Sequence, residues 1–125
     1  MITRIASLHG SLLFTCLAAA AVLLLVSLVG AWRATPAANT TRVVRGILLL
    51  LLLAQCVLGA ILYLAGARVA RMPLHIIYGL VALVTLPVIA ALAADTPPRT
   101  RRFREALAAV FLIAILLRGL ESVHA

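Results

Sequence analysis

The stretch VVRGILLLLLLAQCVLGAILYLAGA (residues 43–67), RVAR (68–71), MPLHIIYGLVALVTLPVIAALAA (72–94) decides the fold. Its outer segments are apolar runs of at least the roughly 20 residues that a helix needs to cross a bilayer. Only Gly66 to Arg71 is left to join them, so they predict a tight antiparallel helical hairpin. Pro73 falls in the first turn of the second run, where a missing N–H does least harm.

Working outward, the same pattern recurs on both sides. Apolar runs from about Ile5 to Trp32 and from about Phe103 to Val123 flank the hairpin. The connections carry turn chemistry: Pro36 with Asn39, Thr40 and Thr41 on one side, and Asp95, Thr96, Pro97 and Pro98 on the other. The runs are apolar nearly all round, as in helices that meet lipid as well as each other. The expectation is an all-α integral membrane four-helix bundle, up-down-up-down, forming one domain over residues 1–125 with spans of about 5–32, 43–67, 72–94 and 103–123. A cleaved signal peptide has a much shorter apolar core than the first run, which therefore reads as a retained span.

Composition supports the same class. Hydrophobic residues make up 66% of the 125 positions and charged residues 11%, more apolar surface than a water-soluble domain of this size can bury. The chain has no Lys, so its +8 charge is eleven Arg against Asp95, Glu105 and Glu121. Arginines between apolar runs mark topology, and no aromatic-interleaved basic patch accompanies them, so nucleic acid is not an expected partner. Seven Arg (33, 42, 45, 99, 101, 102 and 104) fall on one side of the four predicted spans and four (4, 68, 71 and 118) on the other. The positive-inside rule then places both termini outside a bacterial-type inner (cytoplasmic) membrane and the two Arg-rich connections in the cytoplasm.

Polar residues inside spans are costly unless paired or used. His9 lies about five residues into the first span and His75 about three into the third, and these two spans run in the same direction. At about 1.5 Å per residue both imidazoles sit roughly 5 to 8 Å below the same membrane face. Facing imidazoles in a bundle core can supply both axial ligands of a haem iron, so His9 and His75 are the candidate metal ligands of one haem b. The plainer alternative is that each His hydrogen-bonds water or a headgroup at the interface.

Gly10 follows His9 and Gly79 lies one turn after His75, so bulk is missing beside both rings; close helix packing is the alternative explanation. Haem propionates need cations, and Arg118 and Arg71 are the candidates on the histidine side, unless each simply snorkels or Arg118 pairs with Glu121. Cys16 and Cys56 fall near mid-depth with no metal-ligand or haem-attachment spacing and read as small apolar fillers. Pro87 predicts a kink in the third span.

The stretch Gln55, Cys56, Val57, Leu58, Gly59, Ala60, then Ala65, Gly66, Ala67, then Leu74 and His75, with Leu8, His9 and Gly10 upstream, resembles one four-helix half of the haem A synthase family over roughly residues 5 to 92. The resemblance implies a bundle that holds haem between histidines near the outer face, and half-length members that pair as oligomers. That family's catalytic half carries Glu three residues before its first His and Arg after it; here those positions are Ala6 and Gly10. The resemblance therefore implies the fold and the haem pair, without the residues for oxidising a haem methyl group.

Three functions follow as expectations: a small b-type cytochrome-like protein passing electrons, as a subunit of a respiratory or photosynthetic complex; a half-size haem A synthase-like homodimer; or an accessory subunit of a larger membrane complex without haem. The lipid bilayer is the common partner, with other membrane subunits or further copies of the chain beside it.

Overall fold

A computed structural model describes residues 2–33, 38–67, 72–92 and 96–124. It contains four helices: α1 (Ile2–Arg33), α2 (Ala38–Leu64), α3 (Met72–Leu92) and α4 (Pro98–His124). The protein is all-α over the described residues. Stretches Thr3–Trp32, Thr40–Leu64 and Met72–Leu92 are long and apolar enough to cross a membrane. Helix α4 has comparable length, but its uncharged run extends only from Ala106 to Leu117.

The ends of the helices differ from the ends of the apolar runs for identifiable reasons. Helix α2 stops at Leu64, before Ala67, because Gly66 adopts φ +94°. Its N–H donates to the Tyr63 carbonyl at 3.1 Å and the Ala67 N–H to the Leu62 carbonyl at 2.9 Å, the paired bonds of a Schellman cap that only a residue tolerant of positive φ closes readily. Helix α4 starts at Pro98, five residues before the apolar run. Proline at the first helical position loses no hydrogen bond, and arginine is a good helix former. Arg99, Arg101, Arg102 and Arg104 therefore stand on α4, and Arg42 and Arg45 on α2, instead of in connecting loops. Helix α3 continues through Pro87, which deprives the Leu83 carbonyl of its usual helical donor.

Helix α1 packs against α2 and α4, and α3 packs against α4. Helices α1 and α3 occupy one diagonal of the bundle and α2 and α4 the other, with no direct backbone contact across either diagonal among the described residues. The core is built from stripes at helical spacing: Cys16, Ala20 and Leu23; Leu48 and Leu52; Ala82 and Leu86; Ala108, Ala109, Leu112 and Leu116. The alanines let backbones approach closely, which matters in lipid because dispersion contacts, not the exclusion of water, hold membrane helices together. The remaining faces expose Leu25, Leu50, Leu64, Leu80 and many other large apolar side chains.

The hairpin neighbours α2 and α3 make the slightest contact of any adjacent pair, although their short connection predicted tight packing. Ile47, Leu50 and Leu53 on α2 and Leu83 and Val84 on α3 line an open groove along this seam, where α4 by contrast offers buried alanines to its neighbours.

Candidate functional site

His9 on α1 and His75 on α3 come together across the diagonal at the end of the bundle that holds the N-termini of those two helices. Their ring centres are 6.1 Å apart, with 65° between the ring planes. Since α1 and α3 have no backbone contact, the two imidazoles bridge that diagonal, and both rings are half-buried.

Each of the other helices supplies something to the pair. The His75 Nδ1 lies 3.2 Å from the Gly119 carbonyl of α4. A carbonyl only accepts, so Nδ1 carries the proton in this contact. On α2, Gly59 makes room for His9: a Cβ at that position would stand 3.2 Å from the His9 Cε1. The edge of the His9 ring bearing Cε1 thus faces α2. The His9 Nδ1 and the Gln55 Oε1 are buried with no hydrogen-bond partner among the described residues, although the Gln55 backbone lies beside the His9 ring. Unsatisfied buried polar atoms are uncommon and call for an occupant or a role.

Nothing lies within 4 Å of a Cβ built on Gly10 or Gly79, so close packing does not require either glycine. The Gly79 carbonyl accepts a hydrogen bond from the Cys56 thiol at 3.7 Å. Cys16 is buried in the core, and both thiols are free. Arg118 precedes Gly119 and so reaches the level of His75, where its guanidinium pairs with Glu121 at 3.1 Å in an exposed i, i+3 contact. Arg71 lies outside the described residues.

The opposite end of the bundle holds a second polar pair that sequence reasoning missed. Arg45 on α2 reaches across the other diagonal and pairs with the buried carboxylate of Glu105 on α4. Arg102, one turn before Glu105, is buried against Gly30 of α1, where even a Cβ would collide with its Nη1 and Cδ at 2.6 and 2.8 Å. The Arg99 Nε donates to the Ala31 carbonyl at 3.1 Å, satisfying a backbone acceptor at the end of α1. Trp32 beside it is 87% exposed, as befits an aromatic ring at a membrane interface. The available signal was Glu105, an acidic residue within an arginine cluster one turn from Arg102.

Among the described residues no group of three or more His, Cys, Asp or Glu side chains gathers as a metal site. The donor set at the histidine end is therefore two imidazoles. A metal ion held between one nitrogen of each ring would need the ring centres roughly 6 Å apart, and here the His9 edge bearing Cε1 is turned toward α2. Comparison with protein-family models, with curated proteins and with solved structures finds no match.

Proposed function

We propose that His9 and His75 are the two axial ligands of one b-type haem and that the protein passes electrons within a membrane, as a small cytochrome-like partner or subunit of a larger complex. The observation that carries this proposal is the 6.1 Å separation of the two ring centres across a diagonal that has no backbone contact. Two imidazoles do not satisfy a metal by themselves, whereas a macrocycle that supplies the equatorial ligands needs only such a pair.

The residues present suit that role. The bond from His75 Nδ1 to the Gly119 carbonyl orients the ring as the outer support of a metal-bound histidine does, and Nε2 would be the ligand atom. His9 keeps one edge against Gly59 and the Gln55 backbone beside its ring, and it would ligate by turning that ring away from α2. Gly10 and Gly79 put no side chain one residue after His9 and one turn after His75, and no atom lies within 4 Å of a Cβ built on either. Arg118, next to Gly119, is a cation that can leave its exposed partner Glu121 for a propionate, and Arg71 is the second candidate. Haem supplies one-electron chemistry, and a pair of strong protein ligands on one iron suits electron transfer better than substrate turnover. The excess of arginine at the end opposite the histidines supports a reading in which that end faces the cytoplasm and the histidine pair lies toward the outer face of an inner membrane.

The test is a reduced-minus-oxidised optical spectrum of detergent-purified protein supplied with haem, repeated for His9→Ala and His75→Ala. Haem b bands in the wild type that are lost in both variants support the proposal. No bands in the wild type, or bands unchanged in either variant, overturn it. The mass of the extracted cofactor separates a cytochrome, which returns unmodified haem b, from a relative of haem A synthase.

A further inference from the structure

Between α2 and α3 runs an open groove of about 750 Å3 on the outer surface of the bundle, walled by Ile47, Leu50 and Leu53 of α2 and by Val84 and Pro87 of α3. Arg42 stands at one end of it and Gly46 is part of its lining. We infer that this groove holds an acyl chain of an anionic phospholipid whose phosphate is bound by Arg42.

Length, shape and charge each point to that occupant. The groove extends along α2 from Arg42 to Leu53, eleven residues or about 16 Å at helical rise. One leaflet of a hydrocarbon core about 30 Å thick measures about 15 Å, so the groove runs from the interface at Arg42 to the middle of the bilayer. The lining is apolar apart from Arg42, which is exposed at the mouth of the groove, on the end of the bundle where most of the arginines gather. An apolar slot with a single cation at its surface end matches a chain with a single anion at its surface end.

Other occupants fit less well. A second transmembrane helix packs closely where small residues form a stripe, and here Gly46 stands alone among Ile, Leu and Val. A quinone ring needs a polar group to meet its carbonyl oxygens, and below Arg42 the lining has no polar side chain. The slight contact between α2 and α3 is what keeps the slot open, and no atom lies within 4 Å of a Cβ built on Gly46. A larger side chain there enters the groove without colliding with the protein.

Native mass spectrometry tests the inference. The protein is exchanged into mixed micelles holding equal amounts of phosphatidylglycerol and phosphatidylethanolamine, and the phospholipid carried per chain is counted. The wild type is expected to carry one phospholipid, with phosphatidylglycerol favoured about fivefold. Gly46→Leu is expected to lower occupancy at least tenfold, and Val84→Phe on the opposite wall gives the same result if the first variant does not fold. Arg42→Gln is expected to keep the lipid and lose the preference. Helical circular dichroism confirms that each variant is folded. No carried lipid, a lipid retained equally by both groove-filling variants, or a preference unchanged in Arg42→Gln overturns the inference. So does a bound quinone, or a dimer that Gly46→Leu breaks.

Discussion

Replacing Glu105 tests whether the polar pair at the arginine end ties the second diagonal of the bundle. The Glu105 side chain is 5% exposed and that of Arg45 25%. Removing one partner of a fully buried pair costs about 3–5 kcal/mol, because the other charge is left without compensation. Arg45 keeps a quarter of its surface and can turn toward headgroups, which lowers the expected loss for Glu105→Leu to about 2 kcal/mol. Arg45→Leu leaves the more deeply buried member behind, and a loss of about 3 kcal/mol is expected. In Arg45→Leu/Glu105→Leu both charges are gone and apolar side chains fill their space, so stability returns to within about 1 kcal/mol of the wild type. The coupling energy is then about 4 kcal/mol. Denaturant titration of helical circular dichroism in detergent micelles, run as a double-mutant cycle, measures it. A coupling below about 0.5 kcal/mol, the level of independent sites, would refute the idea that this pair ties α2 to α4.

Two further outcomes follow from the histidine end. Gly59→Leu places a side chain where a Cβ alone would already stand 3.2 Å from the His9 ring, so it is expected to move His9 and lower haem occupancy at least tenfold while helical circular dichroism is unchanged; unchanged occupancy contradicts the packing of His9 on α2. Arg118 and Glu121 are both about two-thirds exposed, so Glu121→Gln is expected to alter stability in micelles by less than about 1 kcal/mol, and a larger loss would show that the pair is structural.

The helices were legible because apolar runs of spanning length and their breakers leave few alternatives: Gly66 closes α2, and Pro73 opens α3. Their ends were less legible, because the start of an apolar run is set by contact with lipid and the start of a helix by backbone caps, and at Pro98 the two differ by five residues. The equal height of His9 and His75 followed from depth, since parallel spans put equal offsets at equal heights; that both rings face inward did not. Which neighbours surround them could not be read in the same way. A helix that is apolar all round does not announce which side faces the core, so Gly59, Gln55 and Gly119 were hidden until the helices had a fixed rotation. The Arg45–Glu105 pair was obscured for another reason: topology already accounted for every arginine in the cluster, and nothing in their spacing reveals that Arg102 fits against a glycine on a different helix.

The central claim is that His9 and His75 hold the same iron, and electron paramagnetic resonance of the oxidised, haem-loaded protein tests it most directly. Two imidazole ligands give a low-spin ferric signal in the wild type, and His9→Ala or His75→Ala, each leaving one ligand, is expected to convert it to high-spin. A high-spin signal in the wild type, or a low-spin signal that survives either substitution, would contradict the account.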